Sequence, residues 1–131
     1  MNIEQWREYL LSFPASVEEM PFGPEVLVYK VAGKLFALLS WQDEPMSINL
    51  KCEPNLALQL RDTYPQVTAG YHMNKKHWNT VVMDGGLEDA HLKEWVQASY
   101  DLIYNALPKT TQVQLRVRYR LDGRHAPAIP T

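Results

Sequence analysis

A single cysteine, Cys52, stands among 131 residues. That excludes an internal disulfide and any zinc site assembled from several thiolates. Long apolar runs are missing too, since none approaches the roughly 18 residues that a membrane-spanning helix needs. The opening Met1-Asn2-Ile3-Glu4-Gln5 has neither the positive start nor the apolar stretch of a signal peptide. Cytoplasmic residence, with no membrane contact, is the expectation. Gly-rich phosphate loops and serine nucleophile elbows are also absent. The net charge is only −2, but it is unevenly spread. From Lys109 onward, Lys109, Arg116, Arg118, Arg120 and Arg124 face one acid, Asp122, for a local +4; residues 1–108 carry −6. Nucleic-acid binders are usually basic overall or on one face. Such a role here would need a local patch or the tail.

What is present is an ordinary globular composition, 46% hydrophobic and 21% charged, at the length of one domain. Asn2 with Gln5 three positions later resembles a capping box, and Ile3, Trp6 and Leu10 recur at helical spacing before Pro14. The Pro- and Gly-rich stretch "FPASVEEMPFGPEV" reads as a connection. "VLVYKVAGKLFALLSW" is a hairpin signal, with Gly33 able to take a positive φ. "SINLK" alternates, with Ile48 and Leu50 inward and Ser47, Asn49 and Lys51 outward. Pro54 suits the first turn of a helix whose apolar side is Leu56, Ala57 and Leu60. A short strand at Val67–Ala69 and a longer one in "WNTVVM" follow. The longest helix begins near the acids Glu88 and Asp89. Its expected core face is Leu92, Trp95, Val96, Ser99, Leu102, Ile103, Ala106 and Leu107.

The order α-β-β-β-α-β-β-α favours an α+β domain of two layers, a largely antiparallel sheet packed against helices. Residues 1–108 are expected to form this one domain, with 109–131 a basic C-terminal extension, partly ordered or frayed. In that extension "QVQLRVRYRL" alternates as an exposed strand would, although a short helix also fits. Arg116, Arg118 and Arg120 share one face of a strand but fan apart on a helix. "DGRHAPAIPT" looks like a frayed end.

Chemistry concentrates in "YHMNKKHWNT", Tyr71 to Thr80. His72 and His77 are five apart, which places them on no common helical face, and the stretch holds no carboxylate. Cys52 is best read as a small, partly buried residue. The acidic pairs Glu18-Glu19 and Asp43-Glu44 lie in connections, where charges are usually solvated. No metal, cofactor or catalytic residue is expected. Nucleic-acid contact uses the stretch more naturally. Lys75 and Lys76 suit phosphates, Asn74 and Asn79 suit hydrogen bonding, and His72, His77 or Trp78 could stack on an unpaired base. The alternative is that Trp78 is core at a strand entrance and the lysines are solvated.

The core His72, Asn74, Lys75, His77, Trp78, followed by Thr80-Val81, resembles the MmcQ/YjbR family of small bacterial proteins. So do the Asp84-Gly85 turn, the Ser99-Tyr100 pair and the closing Leu107-Pro108. The resemblance covers roughly residues 1–110. It implies a two-layer α+β domain with a largely antiparallel five-stranded sheet, of secretion-chaperone-like or CyaY-like architecture. It also implies a "double-wing" DNA-binding role, with no enzymatic activity or cofactor. The expectation is thus a monomeric, non-enzymatic DNA-binding protein. The hairpin turn with Lys34 and the 71–80 loop would be its projections, and Lys34, His72, Asn74, Lys75, Lys76, His77 and Trp78 its contact residues. The rival expectation is a protein-interaction or adaptor module with no nucleic-acid role.

Overall fold

Asn2 starts the first helix, α1 (Ile3–Leu11), as its spacing from Gln5 predicts. The Asn2 side chain accepts from Gln5 N at 2.8 Å, and the Gln5 side chain accepts from Asn2 N at 2.9 Å. Two of the helix's four orphan N-terminal donors are thereby satisfied. The structure, a computed structural model, describes residues 1–71 and 73–120. His72, and the stretch 121–131 with the expected frayed end, lie outside the described residues.

Four strands follow: β1 (Ser16–Glu19), β2 (Val26–Val31), β3 (Lys34–Ser40) and β4 (Ser47–Lys51). Then come α2 (Pro54–Thr63), β5 (Val67–Ala69), β6 (Trp78–Val82), α3 (Asp89–Asn105) and α4 (Lys109–Arg120). The strands form one fully antiparallel sheet in the order β1-β2-β3-β4-β6-β5. The fold class is the expected α+β in two layers. The sheet has six strands where five were expected, because β1 lies inside the stretch that reads as a connection. Four residues are too few to display a period, and β1 is held from afar. The Glu18 carboxylate accepts from Arg7 Nε at 3.1 Å and Nη2 at 2.8 Å, and from the Tyr29 hydroxyl at 2.6 Å. Glu19 pairs with Lys30 at 2.9 Å. The acidic pair is therefore structural rather than merely solvated.

The β2–β3 turn has both central residues at positive φ, Ala32 at 49° and Gly33 at 79°. This is the sense of turn that matches strand twist, and it favours Asn or Gly at the first position. An alanine there is strained. Replacing Ala32 with asparagine is expected to stabilise the fold by about 1 kcal/mol. A urea midpoint that rises at constant m-value would confirm this, and a lower midpoint would count against it.

One face of the sheet is covered by helices. Leu27, Tyr29, Val31, Phe36, Ala37, Leu39, Ile48 and Leu50 pack there against Trp6, Leu10 and Phe13 and against α3. On α3 the buried stripe is Leu92, Val96, Ser99, Tyr100, Ile103 and Tyr104. Leu102 and Ala106, expected inside, are exposed. The stripe is centred about one position from the expected one, because Tyr100 reaches Phe13 (4.9 Å) and Phe36 (5.2 Å) and its hydroxyl donates to Pro14 O. Ser99 has a sharper role. A bulge leaves Phe36 outside the β2–β3 register, and the Ser99 hydroxyl donates to the Phe36 carbonyl at 2.6 Å while accepting from Lys51 N at 2.9 Å.

The segment 109–120 resolves into a helix, so Arg116 and Arg118 fan apart. Period-two alternation misleads there because only part of the helix docks. The buried Gln112 amide donates to Leu107 O and Asn105 O, and the Tyr104 hydroxyl donates to Gln112 O. Among the described residues no helix is long and apolar enough to cross a membrane.

Candidate nucleic-acid interface

The 70–77 loop enters at Gly70, whose neighbours leave no room for a side chain. A Cβ at that position would lie 2.8 Å from Trp78 Cβ and 3.0 Å from Trp78 O. From there the loop closes on itself. Asn74 accepts from Lys76 N through its side chain, and from His77 N and Trp78 N through its carbonyl. This is an Asx turn, for which asparagine is the suited residue. Lys75 Nζ donates back to Gly70 O at 3.0 Å. His77 is half-buried, and its carbonyl accepts from Cys52 N at 2.7 Å. Trp78 is buried at the start of β6.

A residue that sequence reasoning missed holds the loop to the domain. Arg61, in the last turn of α2, donates through Nε to Asn79 Oδ1 at 2.6 Å and through Nη2 to Trp78 O at 3.2 Å. Nη2 also donates to Lys75 O. Its partners lie 14 to 18 positions away, so no local pattern points to it.

Several polar groups of the described motif residues are thus bonded within the loop. Asn74 and Trp78 belong to its framework, and Lys76 remains exposed. Register settles where the lysines go. The β2–β3 turn carrying Lys34, the end of β4 at Lys51 and the start of β6 at Trp78 all fall at the same end of the sheet. β3 and β6 both flank β4, so the hairpin turn and the loop stand about 10 Å apart across the Lys51 strand end. Among the described residues, no carboxylate lies within 4.0 Å of the Lys34, Lys51, Lys75 or Lys76 ammonium. Lys51 was read only as an outward strand residue. A lysine closing an alternating strand was the one available signal for it.

Cys52 follows directly, half-buried, and burial pushes its thiol pKa up, away from the nucleophilic form. Among the described residues no three His, Cys, Asp or Glu side chains come together as metal ligands would.

The family model described as YjbR matches residues 11–102. The chain belongs to the YjbR family. It is similar to the uncharacterised protein YbdF of Escherichia coli O157:H7, with 40% identity over 96 residues, covering 73% of this chain and 79% of that one. The uncharacterised protein YjbR of Escherichia coli K12 is 32% identical over 109 residues, covering 83% and 92%. A crystal structure of a Deinococcus radiodurans protein with a DUF419 domain superposes with a TM-score of 0.82 at 33% identity, over 87% of each chain. A Pseudomonas syringae crystal structure gives 0.68 at 27%, over 79% of this chain and 99% of that one. In this YjbR-family chain, the motif that carries the resemblance is mainly a device for holding a loop at the lysine-bearing end of the sheet.

Proposed function

We propose that this YjbR-family protein is a non-enzymatic DNA-binding protein whose contact surface is the sheet end bearing Lys34, Lys51, Lys75 and Lys76. The supporting observation is the gathering of four lysines, none paired to a carboxylate among the described residues, on a body that is otherwise acidic. The hairpin turn and the 70–77 loop act as the two projections, and β4 ends between them. The lysines hold phosphates. Trp78 and Asn74 keep the loop in shape, and Lys76 is its outward contact.

Contacts of this kind position a protein on a duplex without reading its sequence, so the binding is salt-sensitive and of low sequence preference. Each phosphate neutralised contributes about −0.9 to the slope of log K against log salt. Replacing Lys76 with alanine is expected to reduce that slope by about one unit across unrelated duplexes. Lys76 makes no side-chain bond among the described residues, so stability should not change. A chain that ignores duplex DNA at low salt, or a slope unmoved by replacing Lys34, Lys51 and Lys76 together, ends this reading.

A further inference from the structure

The sheet face opposite the helices is not flat. Phe22, in the β1–β2 connection, and Tyr71, in the 70–77 loop, line a cavity of about 590 Å³ together with Val26, Leu38 and Asn49. That volume lies within the range of small-molecule sites. The geometry points to a binding site for a small organic cation here, an ammonium on an aromatic or apolar body that also carries a hydrogen-bond acceptor.

Three independent features converge on that chemistry. The first is charge. Glu25 and Asp43 line the cavity, no basic side chain does among the described residues, and neither carboxylate has an ion-pair partner there. The second is the walls. Phe22 is 70% exposed, and an aromatic ring presented in this way attracts a cation to its face. The third is a buried amide with work left undone. Asn49 is only 5% exposed. The Thr80 hydroxyl accepts from Tyr71 N at 3.0 Å and donates its one proton to Asn49 Oδ1 at 2.6 Å. With Oδ1 engaged by Thr80, the Asn49 NH₂ is left with no hydrogen-bond partner among the described residues. Left accessible beside the cavity, the NH₂ is available to an acceptor on the ligand. Leu38, between Val28 and Asn49 across the register, completes an apolar floor for the ligand's body.

The cavity shares Tyr71 and Met73 with the 70–77 loop but none of the four lysines, and the inference does not depend on DNA binding. The same two carboxylates that invite a cation repel a phosphate.

The test uses three near-isosteric probes that differ in charge: tyramine, 4-hydroxyphenylacetamide and 4-hydroxyphenylacetate. Each is titrated into the ¹⁵N-labelled protein at low salt. Expected is an affinity order of cation over amide over anion, with shifts centred on the Asn49 side-chain NH₂ and the Leu38 and Tyr71 amides. The exposed pair Glu25→Gln/Asp43→Asn should fold normally and bind tyramine about tenfold more weakly, with the amide little changed. No localised shift with tyramine at millimolar concentration overturns the proposal. So does equal affinity for the anion, or tyramine binding indifferent to the double variant.

Discussion

Replacing Arg61 with alanine is expected to cost about 3 kcal/mol and to loosen the 70–77 loop before it loosens anything else. The guanidinium makes three bonds at once, to the Lys75 carbonyl, the Trp78 carbonyl and Asn79 Oδ1. Hydrogen bonds from a charged donor are worth about 1.5–3 kcal/mol each, and deleting one partner leaves the other to bear its desolvation. Asn79 is buried, with its Nδ2 3.5 Å from Ala57 O, so its Oδ1 loses the charged partner that offsets its burial. Lysine should not rescue the loss, because a single ammonium cannot serve three acceptors held in a fork. Urea unfolding measures the global cost, and amide exchange across 70–80 measures the local one. Wild-type values in both would show that the loop stands without Arg61. If the lysine-bearing end binds DNA, the same variant should bind more weakly although no lysine has been touched.

The second large effect is expected at Glu18. Its carboxylate ties three elements together: Arg7 of α1, Tyr29 of β2 and its own strand β1. Glu18→Ala strands the hydroxyl of a fully buried tyrosine and should destabilise by about 3 kcal/mol; Glu18→Gln should cost less, since it keeps an acceptor for Tyr29. The pH dependence has a definite sign. Hydrogen bonding from Arg7, reinforced by Tyr29, holds the Glu18 carboxyl below its ordinary 4.5 in spite of partial burial. The folded state therefore binds this proton less readily than the unfolded one. Its contribution is complete above 4.5 and fades as pH falls through the lower folded value. Burial first, then the Glu18 partner, pushes the Tyr29 phenol well above its ordinary 10. Stability should accordingly decline again as pH rises past 10, where only the unfolded chain ionises at this position. A wild-type acid slope retained in Glu18→Gln would show that other carboxylates carry it.

The elements legible in the sequence are those whose cause is local. The α1 capping box, the turn at Gly33, the alternation of β4, the proline opening α2 and the periodicity of α3 each lie within a few residues of what they specify. β1 fails that condition. Its neighbours Pro14, Pro21 and Pro24 announce a connection, and what makes it a strand is an arginine on α1 and a tyrosine on β2. α4 fails for another reason. Its polar–apolar alternation is real, but the docking of Gln112 under Tyr104 decides its conformation. The motif does lie in one loop, yet part of its polarity is directed inward. Lys51 and Arg61 were not legible as site residues because register places the first and tertiary bonding the second. Asn49 was read as outward, and it does face away from the helical layer. Its burial follows from the Tyr71 loop folding over it, which no strand pattern encodes.

The two outermost strands of the sheet, β1 and β5, are four and three residues long. A sheet edge is a template on which a stray chain can add itself, and its danger grows with the length of continuous unpaired backbone. Here each border offers scarcely two inter-chain bonds before the backbone turns away, and at β1 the adjacent Glu18 and Glu19 are tethered to Arg7 and Lys30. A crowded, newly synthesised population of this chain should accordingly resist fibril seeding through its sheet, despite a central four strands rich in valine, leucine and isoleucine. The brevity that hid β1 from view in the sequence is also what guards the sheet's margin.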